Sequence, residues 1–117
     1  MIKVRLARAQ LKHGDGPGGI DVTRKTGKGL GLLFAPTWDM VMQHKKGCIT
    51  DEEYVRRYLA ILEKIPREVI DKLHNHGLWN GGLLILYCYC PDQSFCHTYL
   101  LLSFLASRFS DLFTLNL

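Results

Sequence analysis

A chain of 117 residues, 47% apolar and 22% charged, is long enough for one domain that buries about two thirds of its unfolded surface, and its composition excludes a disordered or collagen-like chain. The formal net charge of +4 is unevenly spread: residues 1–46 hold nine Lys or Arg against three acids, and the remainder six against eight. A basic front favours an anionic partner, either a nucleotide-like small molecule or nucleic acid, although basic residues on solvated strand faces give the same count.

The opening "MIKVRLARAQLKHG" lacks the unbroken apolar run and cleavage site of a secretory signal. The longest apolar stretches, "GGLLILYCYC" and "TYLLLSFLASRF", fall well short of the roughly 20 residues of a membrane span. A cytoplasmic protein with no membrane partner is therefore expected, and in that reducing compartment its four cysteines read as thiols or metal ligands rather than disulfides.

Within "MIKVRLAR", Ile2, Val4 and Leu6 alternate with Lys3 and Arg5, which predicts a half-buried first strand with a basic outer face. "HGDGPGG" is a turn or mobile loop. "GIDVTRKTGKGLG" gives a short strand over Ile20–Thr23 and a second basic, glycine-rich loop. That loop is no P-loop, because the closing Lys-Ser/Thr is missing. "APTWDMVMQHKKG" predicts a short helix from Pro36 or Thr37, with Trp38, Val41 and Met42 on its inner face and Gly47 as its stop.

In "TDEEYVRRYLAILEKIP", Thr50 and Glu53 form a capping box, and Tyr54, Tyr58, Ile61, Leu62 and Ile65 recur at helical spacing. "PREVIDKLHNHG" predicts a third helix, with Pro66 in its first turn, Gly77 at its end, and His74 and His76 as exposed capping residues. Leu83–Cys88 is a continuous apolar run, as expected of a central strand buried on both faces. Cys96–Phe109 predicts an amphipathic helix, and "DLFTLNL" a last short strand.

The fold class expected from this order is α/β, a small three-layer domain with a mostly parallel central sheet spanning 1–117. In such sheets ligands bind outside the carboxyl ends of the strands. That edge would gather Asp21, Thr23, Arg24 and Lys25 on one wall, and Cys88, Cys90, Ser94, Cys96 and His97 on the other.

The stretch "LLILYCYCPDQSFCHTYLLLSFL", a strand ending in Cys, a short loop, and Cys-His at a helix start, resembles the family of domain of unknown function 488. With "IDVTRKTG" and "LFAPTWDMVMQHKKGCITDEEYVRRYLAIL", the resemblance covers residues 18–108 and is to the compact members found in bacteria and their phages. It implies a small Rossmann-like domain, with Cys88 in the place of the strand-terminal cysteine and Cys96-His97 in that of the Cys-His pair. Two positions depart from the family's pattern: Thr98 stands where an Arg is common, and Cys90 where an acid is frequent.

Three chemistries compete for the cysteine segment. As binding residues, its members would help hold a phosphate-bearing, nucleotide-like ligand. As a nucleophile, Cys96 would use the positive end of its helix to become the most acidic thiol, with His97 or Asp21 moving the proton. As core residues, Cys88 and Cys96 would simply be small and buried. Zinc would use Cys88, Cys90, Cys96 and His97, which are the right ligand types, but adjacent Cys96 and His97 would both have to face one ion and no CxxC knuckle is present; no metal and no cofactor is expected. Cys48 is incidental. Trp38, Tyr54 and Tyr58 read as core, while Trp79 is open to either role.

Overall fold

The computed structural model describes residues 2–11, 19–91 and 93–116. The "HGDGPGG" turn therefore lies almost wholly outside the described residues. Four strands, β1 (Val4–Gln10), β2 (Gly19–Asp21), β3 (Leu83–Cys88) and β4 (Phe113–Leu115), form one sheet in the order β2-β3-β1-β4. Every pairing is parallel, with Leu6 beside Leu84, Arg8 beside Leu86 and Ile20 beside Leu86. Four helices accompany it: α1 (Trp38–Lys45), α2 (Asp51–Glu63), α3 (Arg67–Trp79) and α4 (His97–Arg108). This is the small Rossmann-like α/β domain with a parallel sheet that the sequence leads one to expect. Among the described residues no helix is long and apolar enough to cross a membrane.

Side chains alternate across a strand, so partners in register share a face. Val4, Leu6, Leu84, Leu86, Cys88 and Ile20 are all buried on one face. Helices α3 and α4 pack there, with α2 against α4 and α1 against α2. The opposite face, with Ala7, Ala9, Leu83, Ile85 and Tyr87, is only half-buried. The described residues thus supply the helical layer on the Leu84 face, and β3 is fully buried on that face alone. An unbroken apolar run cannot reveal this asymmetry, because it reads alike on both sides.

Local chemistry sets the ends of the elements. Thr37 and Thr50 cap α1 and α2 by accepting from Met40 N at 3.2 Å and Glu53 N at 3.1 Å. The Glu53 carboxylate turns to Arg56 and Arg57 rather than back to its cap. Pro66 is the N-cap of α3, but Gly77 lies inside that helix, which runs on to Trp79. Its role is contact: a Cβ there would stand 2.4 Å from Val4 Cγ1, so the missing side chain lets α3 close onto β1. Ile2 precedes the first strand and is exposed.

Three further expectations are corrected. Trp38 and Met42 are exposed and α1 buries Met40 instead, because that helix sits at the domain's rim and touches chiefly α2. His74 is buried rather than capping, with Nε2 2.9 Å from Ile2 O and its ring edge-on to Phe113. His76 is half-buried. Trp79 projects into solvent, while Tyr54 and Tyr58 are core as expected.

Candidate functional site

Because β1, β2 and β3 run parallel, their carboxyl ends open on one edge, and β3 delivers Cys88 there. The chain then turns through Tyr89–Phe95 and enters α4 with Cys96 as its N-cap. Cys88 Sγ and Cys96 Sγ lie 3.1 Å apart. With Cys90 Sγ they form a cluster in which all three sulfurs are within 4.8 Å of one another. All four cysteines are free thiols, and Cys48 stands alone and exposed.

Arg8 reaches the same point from β1. Its Nη2 donates to Cys88 Sγ at 2.6 Å and to Cys90 O at 2.7 Å, and its Nε to Thr98 Oγ1 at 3.2 Å. Arg8 is not among the residues expected at this edge. A signal was present, since Arg8 continues the inward series Val4, Leu6 and puts a charge on a buried face. It also supplies a guanidinium beside position 98, where the resemblance leads one to expect an arginine on the helix itself.

This geometry favours ionisation of Cys88 over its neighbours. Hydrogen bonds from the Cys90 and Cys96 thiols, and from the Thr98 hydroxyl, hold Cys88 far below the ordinary thiol range against the opposing effect of burial, and the Arg8 guanidinium lies against the same sulfur. Cys96 moves the other way, pushed up by its hydrogen bond to Cys88. Cys90 is raised for the same reason. The expectation that Cys96 is the most acidic thiol is thus corrected: its side chain does not cap the helix, and it donates to a neighbour that already carries the charge. His97 is buried, and burial pushes its imidazole down, toward the neutral form. Its Nε2 lies 2.8 Å from Val22 O, so Nε2 carries the proton and the bare Nδ1 faces Cys96 Sγ at 3.7 Å.

A cavity of about 260 Å³ opens over the thiols. Its floor is Cys88, Cys90, Cys96 and His97, and its walls include Trp38, Tyr89 and Phe95 with Arg24, Lys25 and Lys45. Of the expected wall, Thr23, Arg24 and Lys25 line this cavity. Arg24 Nε is held by Pro36 O at 2.8 Å, and the Lys25 ammonium sits 5.7 Å from the centre of the Tyr89 ring. Asp21 does not line it. The Asp21 carboxylate is buried and accepts from Thr23 N at 2.9 Å, from Thr23 Oγ1 at 2.6 Å and from Thr26 Oγ1, and so shapes the loop after β2. Ser94 is spent in its own turn, donating to Pro91 O at 2.7 Å, and stays outside the lining.

Trp38, Lys45, Tyr89 and Phe95 join the site without having been singled out as ligand-binding residues. No spacing rule connects α1 to the loop after β3; only the fold stacks His44 against both Tyr54 and Phe95, with ring centres 5.0 and 4.8 Å apart. Larger clefts lie elsewhere among the described residues, two of them of about 680 and 570 Å³. Neither contains a thiol, and the larger is a mainly apolar groove along α2.

A family model described as "DUF488-N3a: Active DUF488-N3 subclade" matches residues 16–109. Neither the curated proteins nor the solved structures give a match.

Proposed function

The chain belongs to the DUF488 family, and from the cavity at its sheet edge we propose that it binds a phosphate-bearing, nucleotide-like ligand there. The observation that carries this reading is the pairing of exposed aromatic faces with cations around one opening. Trp38 is 52% exposed and Tyr89 and Phe95 are also open to solvent, while Arg24, Lys25 and Lys45 stand among them. Among the described residues no carboxylate lines the cavity. A planar ring stacks on such faces for about 1–3 kcal/mol per base, and a phosphate answers the cations. A cavity of about 260 Å³ suits a single nucleotide unit better than a duplex, whose phosphates are met along an extended basic surface.

Titration calorimetry of the reduced, chelator-stripped protein with nucleoside mono-, di- and triphosphates tests the reading. Saturable binding of one ligand per chain is expected. Replacing Lys25 and Lys45 together by Ala should weaken it by about tenfold or more, since a charged hydrogen bond contributes about 1.5–3 kcal/mol. Binding of oligonucleotides alone, falling steeply with salt, would instead favour a nucleic-acid module.

A further inference from the structure

We propose that Cys88, Cys90 and Cys96 form a trithiolate site for a thiophilic divalent cation, taken here as Zn²⁺, with its fourth coordination position open to the cavity. A Zn–S bond of about 2.3 Å places tetrahedral ligand sulfurs about 3.8 Å apart. The sulfurs here, 3.1 Å apart for Cys88 and Cys96 and all within 4.8 Å of one another, bracket that spacing, so small side-chain adjustments suffice.

The obstacle visible in the sequence was the need for adjacent Cys96 and His97 to share one ion. It does not arise in a three-ligand site, because Cys88, Cys90 and Cys96 suffice and His97 is left to its hydrogen bond with Val22 O. Cys88 and Cys90 are two residues apart at a strand end, and Cys96 comes from the start of α4. Two elements and the loop between them therefore fix the three donors.

Three thiolates and one dication leave a single net negative charge, and the Arg8 guanidinium, 2.6 Å from Cys88 Sγ, stands opposite it. N–H groups that donate to ligand sulfur are typical outer partners of such ions. A bland packing of small buried residues explains neither this guanidinium nor the partly exposed Cys90. Three protein ligands with one open position are the arrangement of zinc sites that act on a bound molecule rather than merely brace a fold. The site goes beyond the ligand reading above, which requires no metal and is tested on metal-free protein.

The test uses the full chain, reduced and stripped with chelator, then dialysed against limiting Zn²⁺ and gel-filtered. The expected result is one zinc retained per chain, with Cys48 left as the thiol open to an aromatic disulfide reagent. Cys90→Ser, a change at the rim of the core, should weaken retention by at least about tenfold, while Cys48→Ser should leave it unchanged. Zinc lost on filtration, thiols equally reactive with and without it, or retention that depends on Cys48 would each overturn the proposal. The wild-type thiol count decides the matter even if Cys90→Ser fails to fold.

Discussion

Replacing Leu84 by Ala is expected to cost about 2–5 kcal/mol of folding stability, enough to remove a large part of a small domain's total. Leu84 is fully buried at the centre of the sheet, between the partners of β1 and the helices above. Its side chain belongs to a cluster of described residues that joins all four helices to the strands. The next residue gives the internal control. Ile85 points to the other face and is only half-buried, so Ile85→Ala should cost about half as much or less. Urea denaturation of both variants measures the difference. Equal losses would mean that the Ile85 face is as fully covered as the other.

The second large effect concerns the thiols of the metal-free protein. Cys88 is the depressed thiol, so its thiolate persists as the pH falls below the range in which ordinary thiols ionise. The raised Cys90 and Cys96 stay protonated there. Thiolate absorbance in the ultraviolet, followed against pH in the wild type and in Cys88→Ser, should therefore show an ionised thiol at mildly acidic pH that the variant lacks. Arg8→Met should shift the Cys88 profile toward higher pH. The sign for stability follows from linkage: a depressed acid contributes stability above its unfolded pKa and loses it as the pH falls toward its folded value. If the acidic ionisation survived Cys88→Ser and vanished in Cys96→Ser, the charge would lie on the helix N-cap and the assignment to Cys88 would be wrong.

Much of this fold is legible in the sequence because its signals are local. The apolar run Leu83–Cys88, the Thr50 cap and the glycine-bounded ends each place an element without reference to the rest of the chain. The carboxyl edge then follows from the parallel sheet, and with it the neighbourhood of Asp21, Thr23, Cys88 and Cys96. What escapes is anything set by packing between distant elements. Arg8 meets Cys88 across 80 residues, and Trp38 reaches the cavity only because α1 is displaced to the rim. Asp21 shows the converse case. The sequence puts a carboxylate at the right edge, but Thr23 and Thr26 beside it take up its oxygens locally. Period alone also misreads His74, whose burial depends on β4 lying beneath α3.

Trp38 and the lysines around it are expected to receive a nucleotide-like ligand. The chain has two tryptophans, and Trp79, 92% exposed, lines none of the clefts described. Trp79→Phe thus leaves Trp38 as the sole indole reporter at little structural cost. Fluorescence of that variant, titrated with nucleoside phosphates in metal-free buffer, should show a saturable change that is weakened by about tenfold or more when Lys25 and Lys45 are both replaced by Ala. Emission from folded protein that does not respond to any nucleotide up to about millimolar concentration, or that responds equally without the two lysines, would contradict it.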